Sequence, residues 1–106
     1  MKAFDLSRAA ERDLQEIARF TFRRWGPTQV SKYRDHLSNR LDDIAAGALI
    51  GKPFSEKLPN VLVVHVQRHF MFYEQANRDR PLILAILHEK RDLVARLAER
   101  LARDDS

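Results

Sequence analysis

The most constraining feature of the sequence is an unbroken apolar run, Leu82–Leu87, which leads directly into the charged stretch His88–Asp92. A run of apolar residues without polar alternation is typical of a strand that is buried on both faces. The sequence therefore predicts an interior strand whose end carries titratable and cationic side chains. Such an end can be an active site, a surface for a partner, or an ordinary charged exit to solvent.

Two helices are predicted before this strand. Lys2–Leu6 has the pattern of a short strand, and Ser7 can accept a hydrogen bond from an unpaired N–H of a first helical turn. The helix that begins there is predicted to run to about Arg24, where a Trp-Gly-Pro sequence at 25–27 ends it and starts a second helix. The second helix is predicted to end near Ala46, and so short a connection favours an antiparallel hairpin. On a helical wheel, the predicted buried face of the first helix carries Ala10, Leu14, Ile17, Thr21 and Trp25.

The rest of the chain predicts mainly strands. Gly47–Asn60 contains Gly and Pro and is interpreted as a loop, whereas residues 61–75 are rich in β-branched and aromatic residues with a polar break at Gln67–His69, which predicts a tight hairpin. Residues 77–81 form a further predicted turn, and Asp92–Arg103 has helical periodicity. The order β-α-α-β-β-β-α predicts one α+β domain over residues 1–106, in which the helical hairpin covers one face of a twisted sheet.

Composition excludes several classes of protein. The chain has no cysteine, which removes thiol nucleophiles, thiolate metal sites and disulfides, and its N-terminal residues lack the apolar segment of a signal peptide. No apolar run is long enough to span a membrane, so we expect a soluble cytoplasmic protein that does not bind membranes. The net charge of +4, from 19 Lys and Arg against 15 Asp and Glu, permits binding to nucleic acid, a ribosome or an acidic protein segment.

No motif for a cofactor or metal is present. The glycines are isolated, and the sequence contains neither a nucleophile elbow nor a zinc-binding HExxH motif. His65 and His69 flank the predicted hairpin turn and can face each other across the strands, but the sequence supplies no third ligand for a metal. We therefore predict neither a metal site nor a cofactor.

A basic cluster is the remaining candidate site. It consists of Arg68, His69, His88, Lys90 and Arg91, which converge if the last strand lies beside the hairpin. Cleavage of RNA needs a general base, a general acid and cations for the developing phosphorane charge, and histidine with arginine or lysine meets these needs. The alternative interpretation is that polar residues simply collect where strands end.

The motifs, taken in order, resemble those of a known family. Residues 6–33, with Asp13, Leu14 and Ile17 and an Arg-Trp-Gly turn at 24–26, resemble the helical hairpin of ParE-type toxins in the RelE/ParE superfamily. The stretches at 52–59, 69–75 and 86–93 resemble that family's loop, its aromatic strand and its Leu-His-x-x-Arg-Asp-Leu ending. The resemblance implies a RelE/ParE-like fold and the toxin component of a bacterial type II (ParDE-like) toxin–antitoxin module.

The superfamily contains two functional classes, and the resemblance implies different site residues for each. RelE-like members are ribosome-dependent mRNA endoribonucleases, whereas the characterised ParE-like members poison DNA gyrase without nuclease chemistry. Arg68 and Arg91 lie at positions resembling two RelE-like arginines, but Leu97 stands where those enzymes place a tyrosine. We therefore expect a non-enzymatic gyrase inhibitor that binds its target through Arg68, His88, Lys90 and Arg91. The alternatives are a ribonuclease that uses Arg68, His88 and Arg91, and a degenerate member without toxicity.

The resemblance also implies partners. We expect a cognate acidic, ParD-like antitoxin that forms a hetero-oligomer with this chain, and DNA gyrase as the target. Apolar anchors of the antitoxin are expected to dock near Phe20, Phe22 and Phe54. No sequence-specific DNA binding by this chain is expected.

Overall fold

A computed structural model describes residues 4–76, 79–90, 95–97 and 99. Its elements are β1 (Asp5–Leu6), α1 (Arg8–Trp25), α2 (Pro27–Ala45), β2 (Lys52–Ser55), β3 (Leu58–Val66), β4 (His69–Glu74) and β5 (Leu82–His88). The strands form one sheet in the order β1-β5-β4-β3-β2, in which β1 is parallel to β5 and all other pairs are antiparallel. Residues 95–97 and 99 are helical, and the rest of the predicted helix over 92–103 lies outside the described residues. The predicted α+β fold, a mainly antiparallel sheet with a helical hairpin and a C-terminal helix, is confirmed.

The helix boundaries follow the predicted capping residues. The Ser7 side chain accepts a hydrogen bond from the Ala10 N–H over 3.0 Å, which satisfies one unpaired donor of the first turn of α1. Gly26 ends α1 with a φ of +88°, and Pro27 then opens α2, where its missing N–H costs no hydrogen bond.

The predicted loop over Gly47–Asn60 is wrong in part, because it contains β2 and the first residues of β3. β2 pairs with β3 at the edge of the sheet, with Pro53 opposite Leu62. An edge strand tolerates proline, since one side of its backbone needs no partner. Lys52–Ser55 has no alternating apolar pattern, so pairing with β3 and not local sequence makes it a strand.

The sheet has an apolar core on each face. On the face that α1 and α2 cover, Leu37 and Leu41 of α2 pack with Val64, Met71 and Ile83 of the strands. On the other side Leu97, which is fully buried, belongs to a cluster with Phe72 and Leu87. Because β5 contributes to both cores and pairs with β1 and β4, the prediction of an interior strand over residues 82–87 is confirmed.

Candidate functional site

An open groove of about 1250 Å³ lies between α1 and β5. We call it the α1–β5 groove. Its α1 wall includes Arg12, Glu16, Phe20, Arg24 and Trp25, and its opposite wall includes Gln67, Arg68, His69, His88, Lys90 and Arg96. The groove therefore brings together four members of the basic cluster that was predicted from the sequence. The fifth member, Arg91, lies outside the described residues.

The groove exists because β1 is shorter than β5. The pairing of β1 with β5 ends at Leu6, and beyond that residue Ser7 and α1 form the hydrogen bonds to β5. The Ser7 hydroxyl donates to the Leu84 carbonyl over 3.1 Å, and the buried Asp13 carboxylate accepts from the Ile86 N–H over 2.9 Å. Beyond Ile86 the edge of β5 is the floor of the groove.

A polar cluster around the buried His69 lines part of this groove. His69 and His88 lie opposite each other on β4 and β5, and their rings meet edge to face with centroids 5.2 Å apart. The Tyr33 hydroxyl of α2 is hydrogen-bonded to Nδ1 of His69. Since His69 is only 9 % exposed, this bond satisfies a group that burial has removed from water. We call Tyr33, His69 and His88 the histidine pocket.

Burial determines the protonation of this pocket. Desolvation, and then the neighbouring His88, lower the pKa of His69 to about 4, against a smaller opposing effect of Glu89. Burial likewise raises the pKa of Tyr33, and the Arg68 backbone opposes that change. At neutral pH the His69 imidazole and the Tyr33 phenol are therefore both neutral.

The two exposed cations of the pocket's rim are placed by backbone hydrogen bonds. Arg68 belongs to the two-residue turn between β3 and β4, and its carbonyl accepts from the Glu89 N–H over 2.9 Å. The Lys90 N–H donates to Nδ1 of His88 over 3.1 Å. In the β3–β4 turn, Gln67 has a positive φ of 56°, which is uncommon for residues other than glycine.

His65 and His69 do not face each other across the strands, although the sequence allowed that arrangement. In the register of the hairpin, His65 pairs with Phe70 and His69 pairs with Val66, so the two histidines point to opposite faces of the sheet. His65 stacks on Phe70 and contacts the Glu89 carboxylate over 2.8 Å on the face away from α1 and α2. The predicted turn, Gln67–His69, is one residue longer than the observed turn, Gln67–Arg68. A difference of one residue moves the side chains of one strand to the opposite face of the sheet.

The aromatic residues proposed as antitoxin anchors do not form one surface. Phe20 and Phe22 are exposed on α1, but only Phe20 lines the groove, since residues two apart point to different sides of a helix. Phe54 packs edge to face on Phe72, in the core on the opposite side of the sheet.

Sequence reasoning missed Trp25 as a site residue. The helical wheel placed it on the buried face of α1, yet it is 63 % exposed and lines the groove. The wheel gives the direction of a side chain but not what lies opposite, and the last turn of α1 lies at the mouth of the groove. The Arg24 guanidinium lies 5.4 Å from the centre of the Trp25 ring, so a cation and an aromatic are presented together.

The described residues contain neither a metal-binding cluster nor a membrane-spanning helix. No group of three or more His, Cys, Asp or Glu residues is placed to hold a metal ion there. No helix there is long and apolar enough to cross a membrane.

Comparison with known proteins gives one consistent result. Residues 4–93 match the family model described as ParE toxin of type II toxin-antitoxin system, parDE. The chain is 39 % identical to Toxin ParE of Escherichia coli over 101 residues, which is 95 % of this chain and 98 % of that protein. It is 31 % identical to Toxin ParE1 of Mycobacterium tuberculosis over 88 residues, or 83 % of this chain and 90 % of that protein.

A solved structure agrees at the level of the fold. A chain of the chromosomal ParDE TA system from P. aeruginosa superimposes with a TM-score of 0.66 at 21 % identity, and the match covers 81 % of this chain and 96 % of that one. The match to the family model begins before β1 and ends beyond β5, and the two named relatives align over most of their own length. The chain therefore belongs to the family of ParE toxins of type II toxin–antitoxin systems.

Proposed function

We propose that this toxin inhibits growth by binding DNA gyrase through the α1–β5 groove and poisoning that enzyme, without catalysing a reaction itself. The observation that carries the proposal is the composition of the groove. Exposed Arg24, Arg68 and Lys90 share it with exposed Phe20 and Trp25. Arginine and large aromatic side chains contribute most of the binding energy in typical protein interfaces.

The chemistry of the histidine pocket supports binding over catalysis. Nδ1 of His69 is hydrogen-bonded to Tyr33, and Nδ1 of His88 accepts from a backbone N–H. A general base works best when its pKa is close to the working pH, whereas the pKa of His69 is about 4. The pocket is therefore suited to donating hydrogen bonds to a partner.

The second partner in the proposal is the cognate antitoxin of the module, an acidic ParD-like protein that forms a hetero-oligomer with the toxin in the cytoplasm. An acidic segment complements the net charge of +4, and a segment that folds on binding can cover a large surface. Phe20 and Phe22 are its proposed anchors on α1. Docking at Phe54 as well requires the antitoxin to reach the opposite face of the sheet.

The test uses purified toxin and gyrase in a supercoiling assay. The toxin is expected to inhibit supercoiling, His88→Gln to retain measurable inhibition, and the double variant Lys90→Glu with Arg91→Glu to abolish it. Loss of one hydrogen bond to a charged group weakens binding by about 1.5–3 kcal/mol, whereas loss of a general acid or base costs about 10²- to 10⁴-fold in rate. Antitoxin binding by each variant reports that it is folded.

A matched control changes the same charge elsewhere. Lys52 and Lys57 are exposed at the β2 edge, at the far side of the sheet from β5, and Lys52→Glu with Lys57→Glu is expected to leave inhibition intact. Unaffected supercoiling together with ribosome-dependent cleavage of mRNA would identify the ribonuclease instead. In that case His88→Gln alone should lower the rate of mRNA cleavage by orders of magnitude.

A further inference from the structure

The histidine pocket offers hydrogen-bond donors to the groove but no acceptor. His69 is the first of these donors. Its Nδ1 is occupied by the Tyr33 hydroxyl, and no other hydrogen bond to its ring is present among the described residues. Because no buried side-chain N or O atom in that part of the chain lacks a partner, Nε2 of His69 is in contact with solvent in the groove.

The proton on the His69 ring follows from the bond to Tyr33. A phenol has one proton to donate, and Nδ1 of His69 is its only hydrogen-bond partner in a side chain of the described residues. When Tyr33 donates to Nδ1, a neutral imidazole must carry its proton on Nε2. His69 therefore presents an N–H group, held in one orientation, to the groove.

His88 is a second donor with the same arrangement. Its Nδ1 accepts from the Lys90 N–H, so Nε2 carries the ring proton. The β5 backbone adds a third donor beside it. The Glu89 N–H donates to the Arg68 carbonyl in the β3–β4 turn, and the Ile86 N–H donates to Asp13 of α1. Because these directions alternate along a strand, the His88 N–H and the Ile86 carbonyl are directed to the groove.

The charges around the pocket are mostly positive. Arg68 and Lys90 are exposed at its rim, and Arg24 and Arg96 also line the groove. Of the nearby acids, Asp13 is bonded to the Ile86 N–H and Glu89 to His65. Exposed Glu16 lines the α1 wall but forms no ion pair with these cations in the described part of the chain. An anionic acceptor is the group that this set of donors and cations lacks.

We propose that the histidine pocket binds the carboxylate of an Asp or Glu side chain on an extended segment of a protein partner. A peptide fits better than a nucleic acid, because the edge of β5 presents both the His88 N–H and the Ile86 carbonyl. A peptide backbone pairs with both groups, whereas a phosphate backbone can only accept. The inference deepens the proposed function, since it concerns how the same groove holds a protein.

The experiment measures carboxylate binding by the isolated toxin, so its failure is distinguishable from a failure to inhibit gyrase. Two blocked peptides are compared, N-acetyl-Val-Glu-Val-amide and N-acetyl-Val-Gln-Val-amide, by nuclear magnetic resonance of toxin labelled with ¹⁵N in histidine. The Glu peptide is expected to bind about 10- to 100-fold more tightly, as one or two charge-assisted hydrogen bonds imply. Its binding should shift the Nε2 resonances of His69 and His88, and acetate should shift them saturably at constant ionic strength.

The test variant is His69→Asn, whose amide can still bond Tyr33 but has no donor at the Nε2 position. It is expected to lower affinity for the Glu peptide about tenfold and to leave affinity for the Gln peptide unchanged. His88→Asn makes the corresponding change on β5 and is the test variant if His69→Asn does not fold. His65→Asn, on the opposite face of the sheet, is the control and should bind both peptides as the parent chain does.

Three results would overturn the proposal. The first is equal affinity for the Glu and Gln peptides. The second is tighter binding of inorganic phosphate than of acetate, which would indicate a nucleic acid as the ligand. The third is unchanged Glu-peptide affinity in folded His69→Asn or, if that variant does not fold, in folded His88→Asn.

Discussion

Acidification from pH 7 to pH 5 should destabilise this toxin through one residue, His69. Its pKa is about 4 in the folded chain and 6.5 as the ordinary value. Below pH 6.5 the unfolded chain therefore binds a proton that the folded chain does not, so stability falls as the pH falls. The loss begins near pH 6.5 and is complete below the folded pKa.

The size of the effect follows from the same two values. Each pKa unit corresponds to about 1.4 kcal/mol, so the difference between 6.5 and about 4 corresponds to about 3 kcal/mol in total. By pH 5 about 2 kcal/mol of this should be lost, because the unfolded histidine is then almost fully protonated and the folded one is not. Such a loss is a large share of the stability of a domain of this size.

Urea unfolding at pH 7, 6 and 5 measures this directly. His69→Asn has no titrating group at this position, so its free energy of unfolding should fall by about 2 kcal/mol less than that of the parent chain over the same range. His36→Asn, at an exposed position of α2, is the control and should follow the parent chain. If His69→Asn shows the same pH dependence as the parent chain, the neutral buried state of His69 is refuted.

Three further perturbations test other parts of the structure. Asp13→Ala should lower the free energy of unfolding by about 1.5–3 kcal/mol, because the Ile86 N–H loses a charged acceptor, and Asp13→Asn should cost less because the amide oxygen can still accept; thermal unfolding distinguishes the two. Gly51→Ala should cost about 1–3 kcal/mol, since the new Cβ atom would lie 2.9 Å from the Val63 carbonyl oxygen and 3.0 Å from the Tyr73 ring, and an unchanged urea midpoint would contradict this. Trp25→Ala should change stability by less than about 0.5 kcal/mol, because the ring is exposed, while weakening gyrase inhibition measurably; a variant that inhibits normally would remove Trp25 from the target surface.

Local sequence predicted the elements whose signals are strong and self-contained. Ser7, Gly26 and Pro27 act through the backbone of their own neighbours, so the helix boundaries agree with the prediction to within a residue or two. The interior position of β5 followed from its lack of polar residues. β2 was missed because its strand conformation depends on pairing with β3, which no local pattern in Lys52–Ser55 encodes.

The candidate site was predictable only in composition. The sequence grouped Arg68, His69, His88 and Lys90, and the groove brings these four together. It did not indicate that His65 faces the other side of the sheet, since a one-residue difference in the turn decides that. Nor did it connect Tyr33 with His69, because these residues come from α2 and β4 and meet only when the hairpin packs on the sheet.

The position of β5 has a consequence for the synthesis of the toxin. β5 is the last of the sheet's strands in chain order, yet it lies between β1, near the start of the chain, and β4. A growing chain therefore cannot complete the sheet until residues 82–88 have been made, and contacts between such distant segments form slowly. Because β5 is also the floor of the groove, a polypeptide truncated before Leu82 has no such surface. A ribosome that stops early thus releases a fragment lacking the surface through which we propose the toxin acts.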